Sequence, residues 1–368
     1  MTTTNNAPPT DPAQKKIYFN AMTQVNVGRI EIEQGNYASA LQAFQQARQI
    51  FRSLDRKTDE NRCLVEIASV YSDWRKYDKA QDIYKDVIKA FQQSNQPEYE
   101  HVAVGNLGNI YKDQGKYEKA IECYTRAIEF YKKSNNKRNQ AVFLGNMAVI
   151  NQQLGELDDA IDLYEQAQQL YEDYGDIRGK AIVLGNKGTV YQLQKKLALA
   201  LQACQQALDI FQQLGDKKNT GIFMGNCGEV LLQMQEDEKG QALLERAIAI
   251  CDETFPMGSG VFRGTLGLMK AKQGNQEKAL ELFAYAERDV VDYPLEHAKF
   301  LCKKARMQLL IKTTEDAKTS LERAETIAVE IGVQPESDLA HRIISLRTQQ
   351  FAQQAEPFIA KLLHTGDG

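Results

Sequence analysis

The sequence is poor in helix-breaking residues and in long apolar runs. Only 8 of its 368 residues are proline. Lysine and arginine (45) nearly balance aspartate and glutamate (49), and a net charge of −4 offers no basic surface to nucleic acid. No apolar run approaches the ~20 residues of a membrane-spanning helix. We therefore expect a soluble, cytoplasmic protein with no nucleic-acid partner and no membrane insertion.

Motifs that carry chemistry are also scarce. The four histidines lie far apart, and none stands at metal-ligand spacing from a cysteine or a carboxylate. The six cysteines contain no C-x-x-C pair, and most occupy apolar helical positions, which predicts reduced packing residues. The sequence has neither a phosphate loop nor a nucleophile elbow. We expect no catalytic residue, no metal and no cofactor, and so a protein that is not an enzyme.

What the sequence does contain is a repeat of forty residues. The stretch that begins at Gly105-Asn106 and ends at Ala120 returns along most of the chain. The position of Asn106 is filled, in order, by Asn26, Glu66, Asn106, Asn146, Asn186 and Asn226. Self-similarity at a fixed period predicts stacked supersecondary units rather than one closed core.

Each unit reads as two helices joined by a tight turn. Apolar residues recur at three-and-four spacing, as an amphipathic helix requires. Asp11, Asp176 and Asp216 are predicted N-caps, with Pro12 in the first turn of the first helix. After a first pair around Gly35-Asn36, helix pairs are expected at 58–74 with 77–94, 98–113 with 117–134, 138–153 with 157–173, 178–193 with 197–214, and 218–233 with 237–253.

The organisation expected from this pattern is an all-α chain of about eight helix pairs. The segments are a disordered leader (1–11), six well-formed pairs (12–254), an irregular loop (255–260), two degenerate pairs (261–332), a capping helix (333–364) and a disordered tail (365–368). The loop is predicted from the Pro256 and Gly258 signals, and the capping helix from the need to cover the last apolar face.

These residues resemble the tetratricopeptide repeat. Gly108, Tyr111, Ala120, Tyr124 and Ala127 match that motif position for position. The forty-residue variant is similar to kinesin light chains, Pins-type spindle adaptors and many bacterial arrays, which Leu184-Gly185-Asn186 and Leu214-Gly215-Asp216 also echo. The resemblance implies a right-handed superhelical solenoid of antiparallel helix pairs, whose first helices line a concave groove. It also implies that the asparagines form a ladder that holds an extended peptide by its backbone.

The amide chemistry fits that role. An Asn side chain offers one acceptor and two donors, and can bond a peptide N–H and C=O together. Glu66 interrupts the ladder and should favour a basic neighbour. Residues one turn away are candidates for reading peptide side chains. The candidate peptide-binding residues are Asn26, Glu66, Asn106, Asn146, Asn186, Asn226, Arg62, Asn109, Lys112, Gln152, Gln192 and Gln233.

Two interpretations of the ladder remain open at this point. The asparagines either contact a peptide or bond a neighbouring helix and fix the stagger of the stack. The glycines before them, Gly105, Gly145, Gly185 and Gly225, favour an open groove and suggest close approach, either of a ligand backbone or of the adjacent helix.

The expected function is a protein–protein interaction adaptor or scaffold that binds a peptide segment of another protein. The alternative is a regulatory sensor whose superhelical pitch changes when a peptide or small ligand binds. Peptide-pheromone regulators of that kind carry an N-terminal domain, whereas few residues precede the first repeat here, which favours the adaptor. Self-association through the convex face is a third interpretation.

Overall fold

The computed structural model describes residues 7–333, 335, 337–350, 358–359 and 361–362. These residues form an all-α structure in which the described part of the chain contains no strand. The chain divides into two units at the boundary between Asn136 and Lys137.

The first unit contains three helix pairs. Within each pair the two helices pack on each other, and each second helix also packs on the first helix of the next pair. The helices are α1 (Pro12–Glu33) with α2 (Tyr37–Ser53), α3 (Lys57–Asp73) with α4 (Tyr77–Gln93), and α5 (Pro97–Asp113) with α6 (Tyr117–Lys133).

The second unit continues the same plan. Its helices are α7 (Lys137–Leu154) with α8 (Leu157–Tyr174), α9 (Ile177–Leu193) with α10 (Leu197–Gln213), α11 (Lys217–Gln233) with α12 (Asp237–Thr254), α13 (Pro256–Lys272) with α14 (Gln276–Val290), α15 (Pro294–Leu310) with α16 (Thr314–Glu330), and α17 (Asp338–Gln350). The predicted helix pairs agree with these bounds to within about a residue, and the all-α class of antiparallel helix pairs is confirmed.

The predicted caps also agree with the structure. The side chain of Asp11 accepts a hydrogen bond from the Gln14 backbone N–H at 2.8 Å, with Pro12 in the first turn. Asp176 accepts from Gly179 N–H at 2.8 Å, and Asp216 accepts from Asn219 N–H at 3.0 Å. Each cap satisfies a backbone donor that has no partner within its helix.

Small residues let the two helices of a pair approach closely. A Cβ added at Gly108 would lie 2.7 Å from the Tyr124 ring, so glycine permits a closer contact here than the alanines at the equivalent positions 68 and 148. Ala120 and Ala127 are fully buried on the other side of the contact, and Tyr124 and Tyr131 fill the space around it. The core therefore runs between the helices of each pair and onward to the next pair.

The irregular loop expected at 255–260 is wrong. Phe255 alone breaks the helical backbone, and α13 begins at Pro256, where proline is favoured because the first turn needs no donor. Gly260 lies inside α13, where an added Cβ would come 2.9 Å from the Ala286 carbonyl oxygen of α14. The glycine that indicated a loop is a packing residue.

The last described segment covers part of the range expected for a capping helix. Helix α17 contacts α15 and α16 and buries Leu339, Ile343 and Leu346. Phe358 and Leu362 are buried in the same core cluster. The leader residues 1–6 and the predicted tail at 365–368 lie outside the described residues.

Candidate functional site: the first-helix face

The ladder positions all lie on the first helices of their pairs. Asn26 on α1 is exposed, and Glu66, Asn106, Asn146, Asn186 and Asn226 are half-buried. Within each unit, neighbouring first helices touch: α3 with α5, α7 with α9, α11 with α13, and α13 with α15. The ladder side chains of a unit therefore stand near the line where one first helix meets the next.

Glu66 has the basic neighbour that a carboxylate at this position favours. Arg29 Nε of α1 donates a hydrogen bond to Glu66 Oε1 of α3 at 3.1 Å, and Nη2 of the same guanidinium bonds the same oxygen. Arg29 lies three residues after ladder position Asn26. This bond links the first helices of two successive pairs, so Glu66 has a structural role.

Asn106 is also bonded within the first unit. Its side-chain amide lies near the Tyr84 hydroxyl of the preceding second helix, where it lowers the pKa of that phenol. The same hydroxyl lies 2.7 Å from Ser69 Oγ and 3.5 Å from the Val65 carbonyl oxygen, and burial, the largest influence, raises the pKa of Tyr84 to about 12. The amide therefore adds to the polar surroundings of a buried phenol, which supports the structural interpretation at this position.

In the second unit the ladder asparagines have different hydrogen-bonding surroundings. The side-chain amides of Asn186 and Asn226 form no hydrogen bond with another described residue, whereas Asn146 is engaged. Tyr164, which corresponds to Tyr84, is buried with a hydroxyl that has no partner among the described residues. Cys204 occupies the next equivalent position, and its free thiol lies near that of Cys227. Two half-exposed amides therefore keep their donors and acceptors available.

The ladder continues beyond Asn226 through residues of another type. Thr265 of α13 and Lys303 of α15 follow at 39 and 38 residues. Lys303 Nζ lies 2.7 Å from Thr265 Oγ1 and 3.3 Å from Glu229 Oε1 of α11, and Thr265 also donates to that carboxylate. The forty-residue period does not predict Thr265, because the period shortens there.

The glycines that precede the ladder residues do not form one open row. A Cβ at Gly185 would collide with the ring of Phe223, and a Cβ at Gly225 with the ring of Phe262. Each ring comes from the next first helix, three residues before its ladder position. Gly145 differs from Gly185 and Gly225, because a Cβ added there would have no atom within 4 Å. The open-groove interpretation is therefore wrong for Gly185 and Gly225.

The six candidates for side-chain reading fall into two groups. In the first unit they are engaged: Arg62 pairs with Asp59 at 3.1 Å, Asn109 accepts from the Tyr124 hydroxyl at 2.7 Å, and Lys112 lies 3.5 Å from Asp113. In the second unit Gln152 and Gln192 are half-buried and Gln233 is exposed. Gln233 lies seven residues after Asn226, on the same side of α11, whereas six residues place Gln192 about 120° around α9 from Asn186.

Two further observations concern the described residues as a whole. No described helix has the length and apolar character needed to cross a bilayer. No cluster of three or more histidine, cysteine or acidic side chains with the arrangement of a metal site occurs among them.

The fold and this face together define a helix-pair repeat protein whose first helices carry a periodic polar row. The model of the tetratricopeptide repeat matches residues 19–93, 99–173 and 179–253. These matches cover more than half of the chain. The chain belongs to the tetratricopeptide repeat family.

Solved structures of low sequence identity share the fold. A Rap protein complexed with competence and sporulation factor is 14% identical, with a TM-score of 0.58 over 95% of this chain and 98% of that one. The apo form of the quorum sensor NprR from B. thuringiensis is 13% identical, with a TM-score of 0.58 over 83% and 87%. BtubC (BKLC) from P. vanneervenii is 20% identical, with a TM-score of 0.50 over 66% and 92%. The search of curated proteins gave no match.

Proposed function

We propose that this protein is a non-catalytic adaptor that binds an extended peptide segment of a partner protein on the first-helix face of its second unit. The observation that carries the proposal is the pair of half-exposed amides at Asn186 and Asn226, which bond no other described residue. A half-exposed amide without a protein partner bonds water, and a ligand that offers the same hydrogen bonds can displace that water. Two such amides at one repeat position are suited to an incoming ligand.

The chemistry favours recognition of the peptide backbone. Each amide can donate to a peptide carbonyl and accept from a peptide N–H. Successive pairs set these amides about 10 Å apart, which corresponds to about three residues of an extended chain. The peptide would be held without strong demands on its sequence. Gln233, on the same side of α11 as Asn226, is the residue placed to contact its side chains.

A related fold supports the choice of a peptide ligand. A Rap conjugation gene regulator of the plasmid pLS20, at 15% identity and a TM-score of 0.52, is in complex with the Phr* peptide. That ligand is a property of that protein, and it supports the proposal made here.

The test is selection from a random peptide library displayed on phage, with the intact protein as bait. We expect enriched peptides whose affinity falls about tenfold or more for Asn186→Ala with Asn226→Ala, since each lost hydrogen bond is worth about 0.5–1.5 kcal/mol. The matched control is Gln166→Ala with Gln213→Ala, which removes two exposed amides from second helices. Failure to enrich peptides, or equal losses in both variants, would contradict the proposal.

A regulatory sensor is the second candidate, favoured by the quorum-sensor and Rap folds. An adaptor and a sensor differ in whether ligand binding changes the superhelical pitch of the array. Small-angle scattering with and without a selected peptide separates them, because an adaptor keeps its radius of gyration and a sensor that changes pitch does not.

A further inference from the structure

Helix α1 carries an apolar stripe that no described residue covers. Phe19, Val27 and Ile30 are 51%, 38% and 52% exposed, and Thr23 between them is also exposed. Spacings of four, four and three residues place all four on one side of the helix. We call this set the α1 stripe.

At two of these four positions, those of Thr23 and Ile30, the corresponding residues are buried in every later repeat of the forty-residue series. Those equivalent to Ile30 are at most 1% exposed, namely Val70, Ile110, Ile150, Val190 and Val230. Those equivalent to Val27 in the next two repeats, Ile67 and Leu107, are 4% and 7% exposed. In the first unit these later residues share core clusters with the preceding second helix. The α1 stripe therefore includes positions that are buried inside the array in later repeats.

The described residues before α1 do not cover the stripe. The Ala7 carbonyl accepts a hydrogen bond from Arg56 Nη1 at 2.7 Å, so this segment lies beside the start of α3. Arg56 also pairs with Asp59 at 2.8 Å and is buried, which fixes that position.

The charges along α1 indicate what fits the stripe. Exposed Lys15 and Lys16 stand at its N-terminal end and Glu31 at its C-terminal end, where Glu31 also accepts from the Asn36 amide at 2.9 Å. Lys16 and Glu31 flank the same edge of the stripe, by 100° per residue. A second α1 laid antiparallel would set each Lys16 against Glu31 of the other copy, whereas a parallel copy would set like charges together.

We propose that a second copy of this chain covers the α1 stripe, with the two α1 helices packed antiparallel around a two-fold axis. If Lys16 of one copy pairs with Glu31 of the other, the two-fold axis lies beside Thr23. The interface is isologous, as is usual for homodimers. At about 1.5 Å per residue, the 22 residues of α1 give it a length of about 33 Å.

Sedimentation equilibrium of the full chain tests the proposal. We expect association toward twice the 41.6 kDa mass of one chain. Phe19→Asp with Ile30→Asp should weaken association about tenfold or more, because two large apolar side chains are replaced by charges. Leu280→Asp, at a position 51% exposed on α14, is the control and should change nothing. A wild-type chain that stays monomeric at every concentration, or equal losses in both variants, overturns the proposal.

Charge reversal tests the antiparallel arrangement separately. Lys16→Glu and Glu31→Lys should each weaken association, and the double reversal should restore it. Thr23→Cys should form a disulfide between two copies on mild oxidation, with circular dichroism showing that the variant keeps its helices. No restoration and no cross-link together overturn the antiparallel dimer even if the protein self-associates.

Discussion

The ladder position has different surroundings in the two units. In the first unit, Glu66 is bonded by Arg29, and the Asn106 amide lies near the Tyr84 hydroxyl. In the second, Asn146 is engaged, whereas the amides of Asn186 and Asn226 bond no other described residue. The Tyr164 hydroxyl has no partner among the described residues, and the free Cys204 thiol lies near Cys227. An asparagine that recurs at one repeat position therefore has no fixed role. What stands on the preceding second helix decides whether its amide is structural or available.

The largest expected effect on stability distinguishes a ladder glycine in a packed contact from one that faces open space. Gly185→Ala should destabilise the protein by about 1–3 kcal/mol, because the new Cβ meets the Phe223 ring, which is stacked on Phe211. Gly145→Ala should stabilise it by about 1 kcal/mol, because nothing lies within 4 Å and alanine favours helix. Urea-unfolding midpoints measure both. Changes of the same sign would show that the two glycines have the same surroundings.

The tyrosine hydroxyls should respond differently in the two units. Tyr124→Phe removes a 2.7 Å hydrogen bond to Asn109 and should cost about 1 kcal/mol. Tyr164→Phe removes a buried hydroxyl that has no partner among the described residues, and should leave stability unchanged or raise it. Thermal unfolding of both variants checks this pair. An equal loss at Tyr164 would reveal a partner for that hydroxyl and weaken the contrast between the units.

A smaller effect is expected at the asparagines themselves. Asn106→Ala removes the amide that lies near the Tyr84 hydroxyl and should cost about 0.5–1.5 kcal/mol. Asn186→Ala loses no hydrogen bond to another described residue and gains helix propensity, so it should be neutral or slightly stabilising. Chemical denaturation of the two variants gives the comparison. A clear destabilisation by Asn186→Ala would argue that this residue is structural, against the proposed peptide contact.

The smallest effect concerns pH and is confined to the second unit. Burial lowers the pKa of His297, whose Nε2 lies 3.6 Å from Glu287 Oε1. A histidine with a lowered folded pKa contributes stability above its unfolded pKa of about 6.5, and that stability is lost as the pH falls toward the folded value. His297→Gln should therefore flatten the decline in melting temperature below about pH 6.5. An unchanged pH profile would exclude His297 as its source.

The sequence predicted the fold well because the repeat restates each helix several times. Helix bounds, the caps at Asp176 and Asp216, and the close contact at Gly108 all follow from local spacing and small residues. The break at 255–260 was misjudged because proline and glycine serve a helix start and a helix contact as readily as a loop.

The candidate site was less predictable because its partners are distant in sequence. Asn106 lies near Tyr84 on another helix, and no local pattern says that the hydroxyl of Tyr164 has no partner among the described residues. The Gly185 contact with Phe223 was equally hidden, since a helical glycine looks the same whether its space is empty or filled.

The match between glycine and ring has a consequence for how this array can lengthen. The pair α11–α12 carries both halves of the contact, with Phe223 directed to the previous first helix and Gly225 receiving Phe262 from the next. If that pair were duplicated in tandem, the phenylalanine of the second copy would pack on the glycine of the first copy. The glycine of the second copy would then receive Phe262. Tandem duplication of this pair would therefore create no steric conflict on the first-helix face, and the array could gain a repeat in one genetic event.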